Sequence, residues 1–78
     1  MIKSKIEWFI VERTKVVRKQ CGKTQRDIAE ILKVSAGYIG QVESENSPSM
    51  YSYSQLNELA KFFECSPKDF MPEEAIEE

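Results

Sequence analysis

The chain has 78 residues, of which 41% are hydrophobic and 31% charged, with no histidine and two cysteines. A chain of this length forms one domain with a modest core. Without histidine or closely spaced cysteines it offers almost nothing for a zinc or copper site and lacks the commonest general base. We therefore expect a non-enzymatic protein with no catalytic residues, no metal and no cofactor. No apolar run approaches the roughly 18 residues of a membrane span, and acidic residues interrupt the first apolar stretch, so we also expect a cytoplasmic protein without a signal peptide.

Positive and negative charge are separated along the sequence. Residues 1–33 hold nine of the 11 Lys and Arg but only four acids, whereas residues 34–78 hold two bases and nine acids. A chain with two such poles can present a basic surface to an anionic partner despite its net charge of −2. Alternatively, both charged regions are helix faces exposed to solvent, and no anionic partner is needed to explain the pattern. Four acids lie in the tail 73–78, which has little to bury and is expected to be frayed beyond a domain at 1–72.

The first helix is predicted from Ser4 to Cys21. Ser4 and Glu7 have the spacing of a capping box, in which each side chain binds a free backbone N–H of the first turn. Apolar residues recur every three or four positions after it. Gly22 then suits a helix end in the left-handed conformation.

Two short helices follow, joined by a very short turn. Thr24 can cap the first and Ser35 the second. Helices this short survive only by packing on each other and on the first helix. The apolar positions that supply this packing are Ile28, Ala29, Leu32, Val34, Ile39 and Val42. The arrangement is a helix-turn-helix, whose second helix can enter a DNA major groove.

The rest of the chain is predicted to hold a loop and two more helices. The loop covers Ser44–Ser54 and has no assigned role. Ser52 begins a second capping box for a fourth helix, and Ser66 followed by Pro67 starts a short fifth one. Since no strand pattern occurs, the predicted fold class is all-α, a compact domain of five helices.

The sequence resembles the phage repressor and Cro-type helix-turn-helix family of XRE-like transcriptional regulators. The resemblance runs from about Phe9 to Met71, nearly the whole chain, and rests on joint spacing rather than on one position. The matching positions are Thr24, Gln25, Ile28, Ala29, Ser35, Ile39, Glu43, Leu56, Leu59, Ala60, Phe63, Ser66 and Phe70. The resemblance implies a repressor-like domain that binds double-stranded DNA, as a homodimer on a near-palindromic operator.

The resemblance also implies roles for individual residues. The helix from Ser35 to about Glu43 is the recognition helix, and Arg18 pairs with Glu43 to tie the first helix to its end. The Gln41 amide can bind adenine at two points, and basic residues near the start of the second helix suit phosphate contacts. The expected DNA-binding residues are Lys23, Thr24, Gln25, Arg26, Ser35, Ala36, Gly37, Tyr38 and Gln41.

Three features depart from the family's pattern. Lys33 stands where the family's turn commonly has glycine, so the turn must differ or tolerate strain. Lys23 is charged where relatives are usually apolar. Gly37 and Gly40 lie inside the recognition helix, and each costs about 1 kcal/mol of helix stability relative to alanine.

Two other functions remain open. A protein-interaction adaptor on the same fold is favoured by the acidic balance, by the recognition-helix glycines and by the lack of Lys and Arg between Val34 and Lys61. An antitoxin or autoregulator of a toxin–antitoxin pair fits as well as a phage repressor. DNA binding is favoured if Lys23, Arg26 and Lys33 flank the third helix, and the adaptor is favoured if they scatter.

A few further residues carry weaker expectations. Trp8, Phe62 and Met71 can mark a dimer surface, although core membership explains them more simply. Cys21 and Cys65 are expected to be reduced and buried rather than joined in a disulfide.

Overall fold

The computed structural model describes residues 2–78 as four α-helices followed by one 3₁₀ turn. This confirms the all-α fold class and corrects the helix count. Four residues are too few for a further α-helix, and the hydrogen bonds of the last element span three residues. The elements are α1 Lys5–Gln20, α2 Gln25–Leu32, α3 Ala36–Val42, α4 Tyr53–Phe63 and the 3₁₀ turn Pro67–Phe70.

Each helix begins where a side-chain cap is available. Ser4, Thr24 and Ser52 accept the N–H of the third helical residue, whose own side chain accepts the N–H of the capping residue. The capping boxes predicted at Ser4 and Ser52 are thereby confirmed. At α2 the hydrogen bonds from Thr24 lower the pKa of Asp27. The hydroxyl of Ser35 caps α3 by accepting one backbone N–H.

The core lies where the four helices and the 3₁₀ turn meet. Its largest fully buried side chains are Phe70, Ile28, Ile39, Leu59, Val11 and Val42. Of the predicted core residues, Leu32 and Val34 are only partly buried against this cluster. Because α2 packs on both α3 and α4, the two short helices are stabilised by tertiary contact rather than by their own length.

α2 and α4 both end in the left-handed conformation at residues other than glycine. Lys33 has a φ of +59° and Glu64 a φ of +56°, close to the +69° of Gly22 after α1. After Lys33 the backbone N–H of Val34 donates to the carbonyl of Ala29 at 2.9 Å. The turn therefore tolerates the strain that its departure from glycine introduces, because hydrogen bonds close the end of the helix.

Lys33→Gly is expected to raise the free energy of unfolding by up to about 1 kcal/mol. A residue with a Cβ pays about 1–2 kcal/mol to adopt the left-handed conformation, and glycine does not. This gain exceeds the free-energy cost of ordering the more flexible glycine on folding. Urea denaturation followed by circular dichroism measures the change. Lys33→Ala is the matched control, since it removes the side chain but keeps Cβ; equal stability of the two variants would contradict the prediction.

The acidic tail ends against α1. The Glu78 carboxylate accepts the backbone N–H of Lys5 at 2.8 Å and that of Ile6 at 3.2 Å. A carboxylate is favourable there because the first N–H groups of a helix are unpaired and carry partial positive charge. The frayed state of the tail and the domain boundary at residue 72 both stay predictions.

Residues 2–78 contain neither a membrane-spanning helix nor a disulfide. No helix within residues 2–78 is long and apolar enough to cross a membrane. Cys21 and Cys65 are both free thiols. Cys21 is exposed, contrary to expectation, because it is the cap residue at the end of α1. Cys65 is half-buried, and this burial raises the pKa of its thiol.

Candidate nucleic-acid interface

α3 presents a surface of small, uncharged side chains. Its inner side is fixed in the core, where Ile39 is fully buried. On the outer side Ser35, Ala36, Gly37 and Gln41 are all exposed, and we call these four residues the exposed face of α3. Gln41 carries the one long side chain of this face, so it is the group best placed to form specific hydrogen bonds with a partner.

A buried ion pair fixes the end of α3 to α1. Arg18 Nε and Nη2 each donate to the Glu43 carboxylate at 2.9 Å, and Nη1 donates to the Lys23 carbonyl at 2.9 Å. The two charged side chains are 10% and 3% exposed. Gln25 Nε2 donates to the same carboxylate at 2.9 Å. The network thus links α1, α2 and the end of α3, and the amide nitrogen of the exposed Gln25 is bonded to the Glu43 carboxylate.

Tyr38 turns its hydroxyl back into the protein. The hydroxyl donates to the Met50 carbonyl at 2.5 Å and lies 3.3 Å from Gln55 Oε1. The ring is half-buried against the core. Tyr38 therefore connects α3 to the following loop and to α4 through its hydroxyl, and its contact with DNA stays a prediction.

The three basic residues that distinguish DNA binding from an adaptor have different surroundings. Lys23 Nζ lies 5.6 Å from the centroid of the Phe62 ring on α4, a favourable cation–π distance. Lys33 lines a groove between α2 and α4. Arg26 is exposed in the first turn of α2, next to Gln25. Lys23 and Lys33 thus lie beside residues of α4, and Arg26 is the basic residue exposed at the start of α2; the phosphate contacts of Lys23 and Arg26 stay predictions.

Lys3 is a buried residue that no sequence pattern predicts. Its side chain is buried, and Nζ donates to the backbone carbonyls of Gln41 at 3.3 Å, Ser44 at 2.5 Å and Ser47 at 2.7 Å. Its own N–H donates to the Glu45 carbonyl at 3.2 Å. The segment before α1 is therefore fastened to the last turn of α3 and to the loop after it. No local pattern marks this lysine, because all of its partners lie about 40 residues away.

The residues considered for a dimer surface divide between surface and core. Phe62 and Met71 are 43% and 39% exposed, and Tyr53 on α4 is 89% exposed. Trp8 packs against the core. Large apolar side chains are thus exposed on α4 and directly after the 3₁₀ turn.

Comparison with known proteins identifies the family. A family model for helix-turn-helix proteins matches residues 15–70. The chain belongs to this helix-turn-helix family. Within it, α2 and α3 form the motif itself, and membership in this XRE-like family makes the chain a DNA-binding regulator. The family resemblance found in the sequence is thereby confirmed.

A solved structure supports the same fold. The crystal structure of a hypothetical transcription factor from Neisseria superposes with a TM-score of 0.72 and 13% identity, over 87% of this chain and 76% of that chain. At this identity the match shows the fold alone. No curated protein matches the chain.

Proposed function

We propose that the protein is a sequence-specific transcriptional regulator of repressor type. It acts without enzymatic chemistry, in the cytoplasm, as a homodimer on near-palindromic DNA, with α3 in the major groove. The observation that supports this most directly is the exposed face of α3, where the Gln41 amide lies beside the small residues Ala36 and Gly37 on a helix whose other side is buried in the core.

The glycines of α3 are not required by the protein's own packing. Neither has a positive φ, and an added Cβ would meet no atom closer than 3.9 Å at Gly37 or 3.7 Å at Gly40. Each nevertheless costs the helix about 1 kcal/mol relative to alanine. Glycines at positions with room for a side chain suit a helix whose backbone comes close to another molecule. A recognition helix that contacts base edges in the major groove is such a helix.

The remaining polar groups divide into base contacts and phosphate contacts. Gln41 is the proposed base contact, because an amide matches the donor and acceptor of adenine. Arg26 and Thr24, at the exposed start of α2, are proposed to contact phosphate, where charge and backbone N–H groups position a protein without selecting sequence. Ser35 and Ala36 lie at the first turn of α3, beside the bases in this arrangement.

Gln41→Ala is expected to weaken binding to a preferred duplex by about 1–3 kcal/mol and to leave binding to a scrambled duplex nearly unchanged. Arg26→Ala should weaken binding to both duplexes by similar factors and reduce the slope of log affinity against log salt by about one unit. Fluorescence anisotropy at several salt concentrations measures both effects, with a duplex selected from a random pool and its scrambled version.

Lys23→Ala is the matched control for Arg26→Ala. It removes the same charge three residues earlier, but from an ammonium that lies over Phe62 on α4, so it should leave the salt dependence nearly unchanged. Equal loss on both duplexes for Gln41→Ala would show that another residue contacts the bases. Failure of the wild-type protein to bind any selected duplex in a salt-dependent way would contradict the proposal.

A protein-interaction adaptor is the second candidate. It is favoured by the position of Lys23 and Lys33 toward α4 and by the absence of charge on the exposed face of α3. An adaptor would show no enrichment in the selection from random DNA. An antitoxin would bind DNA as a repressor does. Binding of a toxin as its protein partner would distinguish an antitoxin from a phage repressor.

A further inference from the structure

The end of α3 differs from the ends of α2 and α4. Its cap residue Glu43 has a φ of −80° and a ψ of 4°, so α3 lacks the left-handed closure of the other two helices. The last carbonyls of a helix need partners beyond the regular backbone pattern. The Gln41 carbonyl accepts the Ser44 N–H at 3.1 Å, and the Lys3 ammonium adds a second contact to it at 3.3 Å. The ammonium also contacts the carbonyl of Ser44, just beyond the helix, at 2.5 Å. A cation in this position also interacts favourably with the helix dipole.

The Lys3 ammonium is fully bonded but is not paired with a carboxylate. Its three N–H groups meet three carbonyl oxygens, those of Gln41, Ser44 and Ser47. The ion pairs found within residues 2–78 do not include it. Burial lowers the pKa of the Lys3 amine, and the charge of Glu7 opposes that effect. The buried ammonium thus holds together the segment before α1, the last turn of α3 and the loop after it.

We propose that Lys3 is a positioning residue for DNA binding, holding the last turn of α3 and the segment 44–47 where Gln41 can meet the bases. The inference rests on the proposed function. Lys3 bonds the backbone carbonyl of Gln41 itself, so the residue proposed to contact bases is held through its own peptide group. The positioning group lies outside α2 and α3, in the segment before α1.

Lys3→Met tests this role, because it keeps the length of the side chain and removes the ammonium. Lys5→Met is the matched control: it loses the same charge two residues later, from an exposed side chain. Binding is measured at a temperature at which circular dichroism shows both variants folded, so that a change in global stability alone does not alter affinity.

Lys3→Met is expected to lose about ten-fold or more in affinity for a selected duplex, or about 1.4 kcal/mol, while Lys5→Met stays within about two-fold of wild type. The two variants should bind a scrambled duplex equally, since such binding needs no aligned base contacts. The salt slope of Lys3→Met should equal that of wild type, because a buried ammonium releases no counterion from DNA.

The outcomes separate this inference from the proposed function. Wild-type binding together with equal affinity of Lys3→Met and Lys5→Met for the selected duplex would overturn the role of Lys3 alone. Absence of wild-type binding to any selected duplex would overturn the proposed function and this inference with it. If Lys3→Met does not fold, both variants are made in a Lys33→Gly, Glu64→Gly background, in which two left-handed strains are removed.

Discussion

Arg18→Met is expected to lower the free energy of unfolding by about 3–5 kcal/mol, because it leaves a buried carboxylate without its cation. The Glu43 side chain is 3% exposed, and after the change its remaining side-chain partner is the Gln25 amide. Glu43→Leu should cost a similar amount by leaving the guanidinium unpaired. Urea denaturation followed by circular dichroism measures both losses.

The double variant decides whether the two losses share one cause. Arg18→Met with Glu43→Leu is expected to cost about 2–3 kcal/mol less than the sum of the single changes, because no unpaired buried charge remains. The exposed pair of Glu58 and Lys61, 53% and 67% exposed at 3.3 Å, is the matched control. Its equivalent cycle should show a coupling below about 0.5 kcal/mol. Additive losses at Arg18 and Glu43 would reject the coupling.

Phe70→Ala is expected to lower the free energy of unfolding by about 3–5 kcal/mol, as the loss of a large aromatic ring from a core generally does. Phe70 is fully buried although it lies in a single 3₁₀ turn, and that turn packs on both α1 and α4. Thermal and urea unfolding measure the change. A domain of this size holds only about 4–12 kcal/mol of net stability, so the variant should be visibly less folded.

Met71→Ala is the control for Phe70→Ala. Met71 follows directly in the sequence but is 39% exposed, so its truncation should cost less than about 1 kcal/mol. An equally small loss for Phe70→Ala would show that the four α-helices close their core without the turn, and would place the end of the domain before Pro67.

Local chemistry explains what the sequence predicts well. Ser4 and Ser52 start helices through hydrogen bonds that span three residues, so neighbouring positions contain the whole signal. The first helix, predicted from Ser4 to Cys21, spans Lys5–Gln20. The predicted fifth helix is a single 3₁₀ turn, Pro67–Phe70. The cap at Ser66 and the proline after it specify where a helix starts but not how long it is.

Contacts between distant segments explain what the sequence does not predict. The hydroxyl of Tyr38 is bound by a loop carbonyl at Met50, and Lys23 approaches Phe62 across the packing of α2 on α4. Neither contact has a periodic signal, since each depends on the path of a loop or on how helices cross. Family resemblance suggested which faces matter, whereas the direction of each side chain depends on such packing.

Gly37 is a position where a substitution can change the surface of α3 without disturbing the packing of the protein. A Cβ added there would meet one neighbouring atom within 4 Å, the Ser35 hydroxyl oxygen at 3.9 Å. Gly37→Ala should therefore leave the core untouched and stabilise α3 by up to about 1 kcal/mol, while changing the surface proposed to meet a duplex. During evolution, a substitution at Gly37 can therefore alter the binding preference without a compensating, stabilising substitution at another position.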